Sequence, residues 1–157
     1  MGLEIERKFL VNHEKWNTVS ISQGKLYRQG YLLSEREKTI RVRIANEKGL
    51  LTIKGITVGA SRSEFEYSIP LDDAKELLDQ FSISELSKIR YKLNFEGKTW
   101  EVDEFLGDNE GLIVAEIELE SEDEEFEIPD WIDKEVTEQE KYYNSNLAIT
   151  PYKNWKP

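Results

Sequence analysis

The chain contains no cysteine, which excludes disulfides and thiolate metal sites. It contains one histidine, His13, so no imidazole cluster can hold a metal, and His13 itself suits a surface or capping position after the first strand. No Gly-x-x-x-x-Gly-Lys-Ser/Thr loop is present to hold phosphates on backbone amides. No Gly-x-Ser-x-Gly elbow is present to carry a serine nucleophile. No apolar run approaches the ~20 residues that span a bilayer, and the charged opening Leu3-Glu4-Ile5-Glu6-Arg7-Lys8 lacks the apolar stretch of a signal peptide. A cytoplasmic protein without membrane contact is expected. Basic residues number 21 against 32 acidic ones, a net charge of −11. A nucleic-acid partner is not expected, because phosphate backbones require a basic footprint.

What the chain has in abundance is period-two alternation. Eight segments show it: 4–9, 27–33 (more weakly), 39–44, 51–54, 62–67, 88–93, 101–103 and 115–120. Successive side chains of a strand point to opposite faces, so strict alternation argues for β-structure. The turn-like stretches Asn46-Glu47-Lys48-Gly49 and Phe95-Glu96-Gly97-Lys98 read as hairpin turns, and Gly107 to Gly111 as a longer one, which implies antiparallel neighbours. Helix signals are few. Asp72 to Phe81 places Ala74, Leu77, Leu78 and Phe81 on one face, with Asp72 as N-cap. A short helix is expected around Glu14 to Thr18. Trp131 to Ala148 reads as short helices anchored by Trp131, Ile132, Tyr142, Tyr143 and Leu147. With 157 residues and no linker, a single domain over 1–157 is expected, α+β but mainly β.

An antiparallel sheet ordinarily turns a mixed polar face to water. Here the sign of the polar face changes strand by strand. One strand carries Arg41 and Arg43, and another Lys88, Arg90 and Lys92. Others carry Glu4 and Glu6, Glu64 and Glu66, and Glu116, Glu118 and Glu120. Like charges two residues apart on a strand lie roughly 7 Å from each other and repel unless something neutralises them. Eight strands closed into a barrel would gather these faces inside, with the apolar faces, including Phe9, Phe65, Tyr67, Tyr91 and Trp100, covered by helices. Alternation alone does not separate that arrangement from a sheet facing solvent. A charged tunnel would suit phosphoryl transfer. Guanidinium and ammonium groups hold phosphate oxygens, and oxygen-only carboxylate ligation suits Mg²⁺ or Mn²⁺.

Glu4-x-Glu6-x-Lys8, followed by Phe9-Leu10-Val11, resembles the opening signature of the CYTH, or triphosphate tunnel metalloenzyme, family. Later segments resemble it in order: Gln29-Gly30-Tyr31-Leu32, Arg41-x-Arg43, Thr52-Ile53-Lys54-Gly55, Arg62-x-Glu64-Phe65-Glu66-Tyr67, Lys88-x-Arg90, Asp103, Glu116-x-Glu118 and Tyr142 to Leu147. The resemblance covers nearly the whole chain. It implies an eight-stranded antiparallel closed β-barrel, a tunnel with charged interior and outer helices, that takes a small-molecule triphosphate and needs Mg²⁺ or Mn²⁺. It also implies roles. Lys8, Arg41, Arg43, Lys54, Lys88 and Arg90 hold phosphate, joined by Arg62 and, near the tunnel mouth, Lys141. Glu4, Glu6, Asp103, Glu116 and Glu118 bind or organise metal. Lys8, Arg90, Glu64 and Glu66 act on the reaction, the two glutamates through a water or a second metal.

For Arg62, Lys92, Glu101 and Glu120 a solvated position and a site role weigh equally. Gln29 is placed inward, Tyr27 and Tyr31 are unassigned, and Tyr143 and Trp131 read as core anchors. The expected reaction is hydrolysis of inorganic triphosphate. A nucleoside or thiamine triphosphatase, an adenylate cyclase of class IV type and a non-catalytic polyphosphate binder are the alternatives, and a homodimer is left open.

Overall fold

A computed structural model describes residues 2–21 and 23–155. Eight strands form the barrel: β1 (Leu3–Val11), β2 (Lys25–Ser34), β3 (Lys38–Ala45), β4 (Lys48–Val58), β5 (Ser61–Ile69), β6 (Ser84–Phe95), β7 (Lys98–Phe105) and β8 (Ile113–Glu118). They run in the order β5-β4-β3-β2-β6-β7-β8-β1, all antiparallel, and β1 pairs back onto β5 to close the sheet. The eight alternating segments are these eight strands. Two hairpins turn on residues with positive φ, Asn46 and Glu47 at 53° and 60°, and Glu96 and Gly97 at 49° and 80°. That geometry matches the twist of the flanking strands.

The closing seam is short. β1 pairs β5 only at Leu3, Glu4 and Ile5. Farther along, the same edge of β1 takes a ninth strand, β9 (Ile132–Glu135), which pairs at Phe9 and Val11. This corrects the reading of Trp131 to Ala148 as helices throughout. The β1 edge beyond β5 would otherwise leave backbone groups without partners, and the Ile132 segment supplies them. The remaining helices are short: α1 (His13–Trp16), α2 (Leu71–Phe81) and α3 (Asn144–Leu147), with a 3₁₀ turn at Glu140–Tyr142. Among the described residues no helix is long and apolar enough to cross a membrane.

The outward apolar faces pack in two places. Ile5, Phe9, Trp100, Val102 and Ile117 lie under Trp16 and Trp131, and Val42 lies under Ala74 and Leu78 of α2. The apolar stripe of α2 is as expected except at its end, where Phe81 stays exposed. Pro70, not Asp72, is the N-cap residue; Asp72 and Asp73 sit in the first turn, where negative charge is favoured by the helix dipole. The outward aromatics Phe65 and Tyr67 lie beyond α2 and remain exposed, unlike the covered Phe9 and Trp100.

A third cluster lies inside the barrel. Leu10 pairs with Val114, and Phe105 with Lys88, so these apolar residues share the inward face with the charges. Leu10, Leu86, Phe105 and Val114 pack with Val136, Tyr142 and Leu147. The chain after β9 thus plugs one end of the barrel with an apolar stopper.

Candidate active site

Above this plug lies a cavity of about 320 Å³. Of the residues expected in the site, Glu4, Glu6 and Lys8 reach it from β1, Arg41 and Arg43 from β3, and Lys54 from β4. Arg62, Glu64 and Glu66 reach it from β5, Lys88 and Arg90 from β6, and Glu116 and Glu118 from β8. Lys92 and Glu101 line it too; Glu120 is exposed elsewhere.

The strand order divides the lining by charge. β2 lies between β3 and β6, so the two strands bearing Arg41, Arg43, Lys88 and Arg90 flank a strand that lines the cavity with the uncharged Tyr27 and Tyr31. β2 contributes Tyr27, whose ring lies 4.8 Å from the Arg43 guanidinium and 5.1 Å from that of Arg90. The aromatic face spaces like charges while attracting each of them. Burial, followed by the nearby Arg41 and Arg90, lowers Arg43 to about 9. The Nε of Arg41 is buried and has no hydrogen-bond partner. An unpaired buried donor in a wall of crowded cations is costly until an anion supplies acceptors.

The opposite wall is acidic. In the strand register Glu6 stands directly across from Glu118, and Glu101 from Glu116, an arrangement that is destabilising for like charges. Burial, then the Glu116 and Glu4 carboxylates, push Glu6 up to about 8. Burial raises Glu4 to about 7 against the opposing pull of Lys54. Lys54 Nζ sits 3.1 Å from Glu4 and 3.7 Å from Glu64. Burial would raise Glu116 as well, but Lys8, Arg90 and Lys88 hold it well below the usual carboxylate range, with Lys8 Nζ 3.5 Å away.

A divalent metal fits this wall by chemistry: oxygen-only donors, crowded like charges, and a buried Glu64 oxygen with no hydrogen-bond partner. Glu4 and Glu64 meet Lys54 and Glu116 meets Lys8, and no group of three is gathered as a ready metal cage among the described residues. Glu4, Glu6, Glu116 and Glu118 are the residues that could hold the ion.

Two expected residues lie elsewhere. Asp103 does not line the cavity. It is 1 % exposed, and its oxygens accept from Arg90 Nε and Nη2 at 2.7 and 2.8 Å and from Lys88 Nζ at 2.7 Å. Arg90 and Lys88 hold it down at about 2 despite its burial. Lys141 projects outside, with its Nζ over the Trp155 ring at 4.7 Å. Its neighbour Tyr143, read as a core anchor, instead lines the cavity between two cations, 5.4 Å from Lys8 Nζ and 5.9 Å from the Arg62 guanidinium. Asn144 and Ser145 also reach the lining, as does Thr137. No alternation marks these residues, because they enter from the plug and not from a barrel strand, although Tyr143, Asn144 and Ser145 lie in the Tyr142 to Leu147 segment that resembles the family.

The CYTH domain model matches residues 2–150. An inorganic triphosphatase from Acetivibrio thermocellus is 52% identical over 157 residues, 99% of each chain. An inorganic triphosphatase from Nitrosomonas europaea is 33% identical over 155 residues, covering 94% of this chain and 97% of its own. A crystal structure of an inorganic triphosphatase superposes with a TM-score of 0.65 at 31% identity, covering 93% of this chain and 94% of the other. The chain belongs to the CYTH domain family.

Proposed function

We propose that this chain hydrolyses inorganic triphosphate to pyrophosphate and orthophosphate with the help of Mg²⁺ or Mn²⁺. The observation that carries the reading is the opposition of a cationic and an acidic wall across one cavity; the similarity to inorganic triphosphatases supports the choice of substrate. Arg41, Arg43, Arg90 and Lys8 take the phosphate oxygens, with Arg62, Lys54 and the deeper Lys88 completing the row. Glu4, Glu6, Glu116 and Glu118 hold the divalent cation, which when bound offsets negative charge on the phosphates and orients water. A water oxygen forms the new bond to a terminal phosphorus, the bond from that phosphorus to its bridging oxygen breaks, and the water proton passes to a carboxylate. Glu64 and Glu66 are the bases proposed. Asp103 is assigned a positioning role beneath Arg90, and Lys141 a place outside the site. The plug and the barrel together support one domain over 1–157.

The test is phosphate release from tripolyphosphate, ATP and thiamine triphosphate with each metal. Tripolyphosphate should give the highest kcat/KM by a wide margin. A higher value for an organic triphosphate, or formation of cyclic AMP from ATP, would overturn the assignment.

A further inference from the structure

The cavity cations differ in how completely the protein neutralises them. Arg90 is satisfied by both oxygens of Asp103 and lies near Glu101 and Glu116. Lys8, Lys54 and Lys88 each have a carboxylate within 4.0 Å, and Arg41 has Glu66 at 3.7 Å. Arg43 forms no ion pair among the described residues. Its Nε instead donates to a neutral acceptor, the Oε1 of Gln29, at 3.0 Å.

Gln29 is completely buried on β2, and its side-chain hydrogen bonds belong to one connected network. Its Nε2 donates to Tyr31 Oη at 3.1 Å and to Asn144 Oδ1 at 3.3 Å. Asn144 Oδ1 also accepts from Lys88 Nζ at 2.9 Å, and Lys88 is bound to Asp103. The plug, through Asn144, therefore fixes the amide that fixes Arg43. A neutral acceptor can set the direction of a guanidinium without cancelling its charge, whereas a carboxylate in the same place would do both.

Resting on the triphosphate reading above, we propose that Gln29 is a positioning residue that aims Arg43 at the substrate and keeps it unneutralised. Its amide, in place of a carboxylate, leaves the Arg43 charge to the phosphate chain; Arg62, the other cavity guanidinium without an ion pair among the described residues, donates to the Gly55 carbonyl and lies 3.5 Å from Thr39 Oγ1. The role is specific to substrate binding and is carried through Arg43.

Gln29→Glu tests this because it preserves shape and acceptor while adding the neutralising charge. The expected result is a variant that folds with a midpoint lowered no further than the loss of the Nε2 bonds to Tyr31 and Asn144 accounts for, with KM for tripolyphosphate raised about 10- to 100-fold, the cost of a weakened charged contact, and kcat changed less than about threefold. A merely structural glutamine predicts no change in KM, since the bond to Arg43 survives; that result overturns the proposal. If Gln29→Glu does not fold, Gln29→Asn takes its place. It is neutral and one methylene too short to reach Arg43, and it must raise KM while folding. Failure of both to fold assigns Gln29 to the core alone and also overturns the proposal. Calorimetric binding of tripolyphosphate to the unaltered chain separates the two levels. Absent binding and absent turnover refute the proposed function itself, whereas normal binding with an indifferent Gln29→Glu refutes only this inference.

Discussion

Arg90 and Asp103 face each other across β6 and β7 and form a two-pronged ion pair at 2.7 and 2.8 Å, with Asp103 almost wholly buried. Both oxygens of that carboxylate are engaged before any ligand arrives. Asp103→Ala should therefore destabilise the protein by about 3–5 kcal/mol, the usual cost of stranding one partner of a buried pair. Its effect on activity should follow from the loss of Arg90's orientation. Thermal unfolding and Mn²⁺ titration of the folded fraction check this: the midpoint should fall with metal affinity unchanged. A stable variant with weakened metal binding would return Asp103 to the metal set.

Arg43 and Glu6 stand on opposite walls, and neither is needed by the core. Arg43→Ala and Glu6→Gln should each lower kcat/KM for tripolyphosphate by about 100-fold or more, the scale of losing one preorganised charge contact. Thermal midpoints should hardly move. Glu6→Gln should be slightly stabilising without metal, because it removes one member of the Glu6 and Glu118 pairing. Full activity in either variant would count against the site.

Stability should depend on pH in two opposing ways. Glu4 and Glu6 are pushed up to about 7 and about 8 from an ordinary 4.5. Between those values the folded chain binds more protons than the unfolded one, so stability falls as pH rises, by at most about 1.4 kcal/mol per pH unit for each group. Asp103, held at about 2, and Glu116, held low as well, contribute stability that is present above their unfolded values and lost as pH falls toward their folded ones. The metal-free thermal midpoint should peak near pH 5 and decline toward pH 8, as Glu4 and Glu6 lose their protons. Mg²⁺ or Mn²⁺ should raise it more at the upper end than at the lower. A metal-free midpoint that climbs across the same range would contradict carboxylate crowding.

The plug gives a fourth expectation. Leu147 is fully buried against Leu86, Phe105 and Val114 inside the barrel. Leu147→Ala should cost about 2–5 kcal/mol. It should also raise KM, since α3 carries Asn144 onto Lys88 and Gln29. Paired measurements of midpoint and KM decide whether the two effects travel together.

Alternation was legible because a strand's side chains must take turns between faces, and every barrel strand overlaps one of the expected segments, though β8 ends at Glu118, two residues before its segment does. Arg41, Arg43, Glu64 and Glu66 could be assigned to one face each from spacing alone. Which face was inside could not, since a solvated sheet obeys the same period; the ordered family motifs supplied that. Asp103 shows the limit of parity. It alternates correctly with Glu101, yet register sets it opposite Arg90 and against Lys88, where it becomes a counterion in the floor. Tyr143 and Asn144 had no periodic signal because their segment is irregular.

By itself the sequence determined the strands, the two signs of the charged faces and the residues able to carry them, because these follow from local alternation and side-chain chemistry. Only the tertiary structure decided what each charge meets. Strand order put β2, with Tyr27 and Tyr31 toward the cavity, between two arginine strands, closure set Glu6 across from Glu118, and the returning C-terminal segment stoppered one end and brought Asn144 to Gln29. Those pairings join residues up to 115 positions apart, and no local pattern encodes contacts that depend on the closing of the whole barrel.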